Sequence, residues 1–346
     1  MRNHRLSVFV VIPIAAILLS APLARAQQAR TVAAPPEPTL PEQVALAPID
    51  VPAWAYPSAG NDGNSPSPGG TLVSVPRSKA HYTLAQVGDP FSPPDWHPEA
   101  HPPMPEIVAH GRQPNLWSCA FCHLPDGSGR PENAALTGLP ASYIVQQVSD
   151  FRSGARRSAS GSDDPLTRYM RQMALNATQG DVAAAAAYFS GLRMPSKVTV
   201  IETARIPMTR AEDFIYAVES DATPDLLGAR IIEVAADMKR HKVRDSGVAY
   251  IAYVPVGSIE RGRRIATAGP DGPATSCFAC HGADLKGTAV APPLAGHFAT
   301  YILRQLFAFR NGARAGPAAV LMHPVVAKLT LDDMIAVAAF AASRSP

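Results

Sequence analysis

Two stretches organise this sequence: "SCAFCHLPDG", from Ser118 to Gly127, and "SCFACHGADL", from Ser276 to Leu285. Each contains the pentad Cys-x-x-Cys-His, and together the pentads hold all four cysteines of the 346-residue chain. The fold and the chemistry must therefore be explained around two similar motifs. The pentad residues are Cys119, Cys122 and His123 in one, and Cys277, Cys280 and His281 in the other.

The pentads belong to an internal repeat. They lie 158 residues apart, and the same offset aligns "YIVQQVSDFRSGAR" (143–156) with "YILRQLFAFRNGAR" (301–314). Farther along, the offset falls to 152, and Met170 then aligns with Met322. A repeat with one local length change indicates a duplicated domain of about 90 residues, a size within the usual range for small domains.

Each copy is predicted to be helical. Apolar and amide side chains recur at i, i+1, i+4, i+5 and i+8 from Tyr143, and again from Tyr301, which places them on one helix face. The last helix of each copy begins with Thr-x-x-Asp, at Thr178 and at Thr330. This pattern is typical of a capping box in which aspartate replaces the usual glutamate.

Composition divides the rest of the chain. Proline limits helix formation in residues 27–104. We interpret the first part, to about Gly70, as a flexible leader and the rest as an extended arm. The arm could pack on a domain or form a disordered tail, and both alternatives stay open. Alternating and β-branched runs in residues 196–257 predict strands. The expected fold is mainly α, with two tandem helical domains joined by a small β-rich connector. The predicted segments are 1–26 (signal peptide), 27–104 (Pro-rich leader and arm), 105–195 (domain 1), 196–257 (connector) and 258–346 (domain 2).

The start of the chain is typical of a secretory signal peptide. Arg2 and Arg5 precede an apolar run from Val8 to Leu19, and a small-residue site follows at Ala24-Arg25-Ala26. The run is shorter than the roughly 20 residues that a membrane-spanning helix needs. We therefore expect export to the periplasm with cleavage near Ala26.

Removal of this segment changes the charge balance. The chain has 31 Lys+Arg and 28 Asp+Glu, and residues 1–26 contain three arginines and no acid. The mature chain would carry 28 charges of each sign (31 minus 3, against 28). A net charge of zero gives no electrostatic argument for binding nucleic acid or a membrane surface.

Four interpretations of the pentads compete. Cys-x-x-Cys-His is the motif of covalent haem attachment, in which both thiols bond the haem and the histidine reaches the iron. A zinc site would need further ligands, a thiol-redox pair would need a βαβ setting, and an exported protein can carry disulfides. Two copies at the start of two repeated helical units favour haem. We expect two covalently attached haem c groups.

The iron then needs a sixth ligand, and the repeat indicates methionine. In copy two, Met322 is the one methionine between the pentad and the last helix, with His323 and His297 as rivals. His297 aligns with a leucine of copy one, so we expect a surface or loop histidine there. In copy one, Met170 aligns with Met322, but Met173 lies one helical turn away and stays an alternative.

These features resemble class I cytochrome c, whose domain has an opening helix, Cys-x-x-Cys-His, a helix, a methionine loop and a closing helix. The resemblance covers Pro105 to about Met194 and Ser258 to about Ser343, as in a di-haem cytochrome c. It implies axial pairs of His123 with Met170 and His281 with Met322. It does not explain the arm or the connector.

The resemblance also implies contacts that orient the ligating histidines. In that family a backbone carbonyl, often of proline, holds the haem-ligating imidazole. Pro293 is the candidate in copy two, and Pro131 in copy one, where an alanine aligns with Pro293. Arg156 and Arg314 are candidates for binding haem propionates, and a solvated helix end is the alternative for both.

The expected function is one-electron transfer with redox proteins of the cell envelope: a periplasmic dehydrogenase, a membrane quinol oxidiser or a terminal oxidase. We expect no catalytic residues and no binding of nucleic acid. A di-haem enzyme, such as a peroxidase or a thiosulfate-oxidising protein, is the alternative, but a peroxidase needs one haem with an open distal site. A cytochrome subunit of a larger dehydrogenase complex is a further alternative.

Overall fold

The computed structural model describes residues 46–58, 70–161, 164–219 and 222–346. The predicted signal peptide, its cleavage site near Ala26 and the first part of the predicted leader, to residue 45, lie outside the described residues. Within the described ranges, no helix is long and apolar enough to cross a membrane.

Helices make up most of the regular structure in these ranges, which supports a mainly α fold. Copy one contains α2 to α6 and copy two contains α8 to α12, while α1 lies in the arm and α7 between the copies. The helices are α1 (Leu84–Val87), α2 (Glu106–Ala109), α3 (Cys119–His123), α4 (Ala141–Ser153), α5 (Pro165–Asn176), α6 (Gln179–Ser190), α7 (Met238–Lys242), α8 (Ser258–Ala268), α9 (Cys277–His281), α10 (Ala299–Arg310), α11 (His323–Val326) and α12 (Leu331–Ser343).

The two closing helices, α6 and α12, begin in the predicted capping boxes. The Thr178 hydroxyl accepts a hydrogen bond from the Asp181 N–H at 3.2 Å, and the Asp181 carboxylate accepts one from the Thr178 N–H at 2.7 Å. Thr330 and Asp333 repeat this exchange at 3.2 and 3.0 Å. Each box satisfies helix N–H groups that would otherwise lack partners, so the sequence prediction is confirmed.

The larger of the two helical cores lies in copy two. Leu303 and Phe307 of α10 are fully buried against α12. Gly262 lets α8 approach α12 closely, because a Cβ at this position would collide with the Ala336 carbonyl. Copy one packs a smaller cluster around Phe189, which is also fully buried.

A five-stranded mixed sheet lies between the copies in sequence, in the order β3-β9-β8-β6-β5. The pairs β3–β9 and β6–β8 are parallel, and β8–β9 and β5–β6 are antiparallel. Two further sheets have two strands each, β1–β2 in the arm and β4–β7. The strands are β1 (Leu72–Val73), β2 (Tyr82–Thr83), β3 (Val198–Glu202), β4 (Arg205–Ile206), β5 (Thr209–Glu212), β6 (Ile215–Val218), β7 (Asp225–Leu226), β8 (Ile232–Ala235) and β9 (Tyr250–Val254).

The five-stranded sheet packs against copy two. The Tyr250 ring meets the Phe298 ring edge-on, with centroids 5.1 Å apart. Glu233 of β8 accepts hydrogen bonds from the N–H groups of Ala299 and Thr300 at 3.3 and 3.2 Å. A carboxylate at the first turn of α10 interacts favourably with the helix dipole, so the connector stabilises this helix.

The proline-rich arm also packs on the connector. The indole N–H of Trp96 donates to the Val243 carbonyl at 2.7 Å, and the Trp96 side chain is 2% exposed. The Tyr82 ring meets it edge-on, with centroids 4.8 Å apart. These aromatic contacts provide the apolar burial that proline-rich backbone alone lacks.

Part of the predicted flexible leader is packed as well. Residues 46–58 lie against copy two: the N–H of Ile49 donates to the Asn311 side chain at 2.9 Å, and Ala55 is 1% exposed. The flexible-leader prediction is therefore wrong for this stretch. The reason is that its valine, tryptophan and tyrosine supply apolar area that packs on the core, which a count of prolines overlooks.

Candidate cofactor site

Each cysteine pair lies on a one-turn helix that ends at its histidine, α3 in copy one and α9 in copy two. Residues at i, i+3 and i+4 share one face of a helix, so both cysteines and the histidine of each pentad lie together. All four cysteines are free thiols, and neither pair forms a disulfide. The four cysteine and two histidine side chains of the pentads all line one cavity.

This cavity has a volume of about 980 Å³ and is lined by both copies. That volume lies near the upper end of the usual range for ligand sites. Its walls are mostly apolar and aromatic, as expected for a site that receives a large flat cofactor in each copy. The aromatic lining includes Trp117, Tyr143, Phe151, Tyr301 and Phe309.

A backbone carbonyl orients each pentad histidine. His123 Nδ1 lies 2.8 Å from the Ala134 oxygen, and His281 Nδ1 lies 2.7 Å from the Pro292 oxygen. A carbonyl can only accept, so Nδ1 carries the proton and Nε2 keeps its lone pair. Burial lowers the pKa of both histidines, and the carbonyl bonds oppose the shift only in part. Both rings are therefore neutral at neutral pH, and each keeps an Nε2 lone pair that could bind a metal.

The carbonyls differ from those predicted. The expectations of Pro293 in copy two and Pro131 in copy one are wrong, since Pro292 and Ala134 accept these bonds. The two acceptors are themselves aligned by the 158-residue repeat. A backbone oxygen carries no side-chain signature. The position in the repeat therefore decides which carbonyl accepts the histidine's hydrogen bond, and the presence of a proline does not.

All three candidate methionines line the cavity, but their sulfur atoms have different surroundings. Met173 Sδ accepts a hydrogen bond from the Trp117 N–H at 3.0 Å and packs against the core of copy one. Met170 lies one turn earlier on α5, and Met322 ends the 3-10 turn before α11. The sulfur atoms of the two candidates of copy one therefore have different surroundings.

The two rival histidines of copy two are engaged elsewhere or buried. His323 Nε2 donates to the Arg314 carbonyl at 3.3 Å. His297 lies in the loop before α10, as expected, but it is only 6% exposed, and burial lowers its pKa to about 4. The prediction of a surface position is therefore wrong. The aligned Leu139 is also 6% exposed, so the repeat buries this position in both copies.

Arg156 and Arg314 join the copies across a pseudo-twofold arrangement that the sequence did not indicate. Arg156 donates to Tyr301 and Gln305 of copy two, at 2.9 and 3.0 Å. Arg314 donates to the corresponding residues of copy one, the Tyr143 hydroxyl at 3.2 Å and the Gln147 amide oxygen at 2.8 Å. Both arginines are buried, so the alternative of a solvated helix end is wrong for both, and binding of haem propionates stays the expectation.

These guanidinium groups allow a test of whether the cavity suits a haem. Both line the cavity, and in the part of the chain that the structure describes neither pairs with a carboxylate at ion-pair distance. A buried cation without a counter-charge is costly, and the two carboxylates of a haem would supply one. The free thiols, the oriented histidines and the apolar walls fit the same group.

The sequence of the chain is similar to those of several known proteins. A family model described as Cytochrome c matches residues 259–345. Cytochrome c-554(548) of Halomonas halodenitrificans is 41% identical over 80 residues, which cover 95% of that protein and 23% of this chain. The chain belongs to the cytochrome c family.

Two further relatives share one name, thiosulfate dehydrogenase electron acceptor. The protein of Stutzerimonas stutzeri is 42% identical over 97 residues, which cover 27% of this cytochrome and 44% of the relative. The protein of Thiomonas intermedia is 27% identical over 234 residues, which cover 67% of this cytochrome and 80% of the relative. The chain thus spans less than half of one relative and most of the other.

With two Cys-x-x-Cys-His motifs, this protein is a di-haem c-type cytochrome that binds its haem c groups covalently. Its similarity to proteins named as cytochromes and as an electron acceptor identifies it as an electron-transfer protein. Of the four interpretations of the pentads, covalent haem attachment is the one that these comparisons support.

Proposed function

We propose that this cytochrome transfers single electrons between redox proteins of the periplasm through two haems, each held by one histidine and one methionine. The axial pairs are His123 with Met170 and His281 with Met322. One observation carries the proposal: in both copies, an aligned carbonyl fixes the histidine beside a cavity that an aligned methionine also lines.

The assignment of Met170 rests on the sulfur atoms. Met173 Sδ already accepts the Trp117 N–H, whereas the repeat aligns Met170 with Met322. A haem supplies a one-electron iron couple when bound. The chain attaches it through Cys119, Cys122, Cys277 and Cys280, keeps each histidine neutral and oriented, and surrounds the site with apolar side chains that exclude water.

These residues favour electron transfer over catalysis on a small substrate. Met170 and Met322 would each occupy the iron position that peroxide needs, and a thioether ligand would raise the reduction potential. Buried Arg156 and Arg314 would compensate the haem carboxylates, and the same two residues join the copies. The cysteines and histidines of both pentads line one cavity, in which the two haems would lie next to each other.

Spectroscopy of the purified protein tests the proposal. We expect two c-type haems per chain and, in the oxidised form, the charge-transfer band of methionine-ligated low-spin iron with an amplitude that corresponds to both haems. A high-spin spectrum of the oxidised protein, or rapid turnover of peroxide by the reduced protein, would contradict it and favour the enzyme alternative.

The mouth of copy two is the proposed contact site for partners. Val290 and Leu321 are 78% and 57% exposed, Cys280 is also exposed, and all three line the cavity. An apolar rim beside a cofactor suits the small, transient interfaces of electron-transfer complexes, below about 1,200 Å² of buried area. We propose a dehydrogenase as the electron donor, on the similarity to two thiosulfate dehydrogenase electron acceptors. A terminal oxidase is the proposed electron acceptor.

Partner and location are tested separately. Thiosulfate and a thiosulfate dehydrogenase should reduce the cytochrome, and Val290→Lys should slow this reaction without changing the haem spectrum.

Export with cleavage near Ala26 predicts a periplasmic protein whose N-terminus begins there, which N-terminal sequencing checks. In this proposal, residues 105–195 and 258–346 are the cytochrome c domains, 196–257 the connector and 27–104 the leader and arm.

A further inference from the structure

A turn of the connector lies directly against the attachment helix of copy one. Arg244 Nη1 donates to the Phe121 carbonyl at 2.6 Å, and the guanidinium carbon lies 3.5 Å from the centroid of the Phe121 ring. Phe121 stands between Cys119 and Cys122 in the pentad. A residue from outside the repeat therefore places a positive charge beside the cysteines of copy one.

Several contacts hold this turn in place. The Trp96 indole donates to the carbonyl of Val243, and the Arg244 N–H donates to the His241 carbonyl at 3.0 Å. Arg244 has a φ of 60°, in the left-handed region that side chains other than glycine seldom adopt. A residue is kept in such a conformation when the surrounding structure demands it. The arm and the connector together impose the position of Arg244.

The charge of Arg244 is not neutralised by an ion pair. Among the residues that the structure describes, no carboxylate lies within ion-pair distance of it, and nearby Glu132 pairs instead with Arg130 at 2.9 Å. Arg244 therefore carries a charge without an ion-pair partner directly against the attachment helix, at the residue between the two cysteines.

Copy two offers an internal comparison. The repeat aligns Phe121 with Ala279 and Arg130 with Thr288, and both of these copy-two residues are exposed. At these two positions, copy two has neither the ring that Arg244 contacts nor the charge of Arg130. The two attachment sites are similar in shape and different in charge.

We infer that Arg244 is a positioning residue of the connector that raises the reduction potential of the haem in copy one relative to that in copy two. Uptake of one electron lowers the charge at the iron by one unit, so a nearby cation in a low-dielectric site stabilises the reduced form. Arginine keeps its charge at neutral pH. The inference rests on the proposed function, since it requires a haem in each copy.

Spectropotentiometric titration of the holoprotein tests this inference. The wild-type protein should titrate in two one-electron steps. In Arg244→Gln, we expect reduction of copy one to become about tenfold less favourable, a downward shift of about 59 mV in one step. Arg244→Lys keeps the charge and should leave both steps near their wild-type values. Arg264→Gln, at an exposed arginine of copy two, is the matched control and should shift neither.

The shifted step must belong to copy one. Met322→Ala should shift the step of copy two, so Arg244→Gln must shift the other step. A shift of both steps together, of neither, or of the step that Met322→Ala moves would overturn the inference. If Arg244→Gln does not assemble both haems, Arg244→Met keeps the apolar stem and removes the charge, and it should give the same shift. A wild-type protein without two methionine-ligated haems would instead refute the proposed function.

Discussion

At the scale of single residues, the pentads were predictable because covalent haem attachment requires both thiols and the adjacent histidine at fixed spacing. The carbonyls that orient the histidines were not, because a backbone oxygen at Ala134 looks like any other in the sequence. The proposed choice of Met170 over Met173 also draws on the structure, because Met173 Sδ accepts a hydrogen bond from the Trp117 N–H.

Alanine substitutions of the methionines test the axial ligands. Met322→Ala should lower the potential of one haem and Met170→Ala that of the other, because each removes a thioether that stabilises ferrous iron. Met173→Ala is the control: it should keep both potentials and lower the free energy of unfolding by about 1–3 kcal/mol through lost packing. If Met173→Ala lowers a potential and Met170→Ala does not, the two assignments must be exchanged.

At the scale of elements, helices were easier to predict than strands. Helical periodicity and capping motifs are local signals in the sequence. The helix face that starts at Tyr143 and the capping boxes at Thr178 and Thr330 could therefore be predicted directly. The β-branched runs after Lys197 indicated strands, but the order of a mixed sheet depends on contacts that the local pattern does not contain. The packing of Glu233 at the start of α10 is a further contact of this kind.

The capping boxes predict a matched pair of stability effects. Thr330→Ala and Thr178→Ala should each lower the free energy of unfolding by about 1 kcal/mol, because each leaves an N–H at the start of a closing helix without its side-chain acceptor. Denaturant titration followed by far-UV circular dichroism measures the loss. Thr71→Ala, at an exposed position of the arm, should change stability by less than either.

The box of copy one also predicts a dependence on pH. Asp181 accepts two hydrogen bonds from Arg112, at 2.8 and 2.6 Å, and this arginine, helped by Thr178, holds the pKa of the carboxyl well below its usual range. A lowered folded-state pKa stabilises the protein above the unfolded pKa of about 3.9, and this contribution is lost as the pH falls below it.

Asp181→Asn should therefore destabilise the protein at pH 7 and have a smaller effect near pH 3. Thermal unfolding of both proteins at the two pH values measures the difference. An equal loss of stability at both pH values would show that the carboxylate charge contributes nothing and that only the shape of the side chain matters.

At the scale of the whole molecule, the repeat predicted two copies but not how they meet. Arg156 and Arg314 follow helices that the alignment shows to be equivalent, and each donates to residues of the other copy as well as to one of its own. Backbone bonds reinforce the exchange, from the Arg157 N–H to Ala313 and from the Ala315 N–H to Ala155, both at 2.7 Å. Such pairing is a property of the assembled pair, and sequence alignment of one copy with the other cannot show it.

Gln147 is the residue through which this junction can be tested, because its amide oxygen accepts from both Arg156 and Arg314, at 2.7 and 2.8 Å. Gln147→Leu removes an acceptor from two buried cations at once and should cost about 1–3 kcal/mol of unfolding free energy. It also removes the negative end of a dipole beside both charges, so both one-electron steps should move upward together. Gln305→Leu, the symmetry-related change, should do the same, whereas Arg244→Gln moves one step only. If Gln147→Leu moves one step alone, each arginine acts on its own copy and the junction does not couple the two sites.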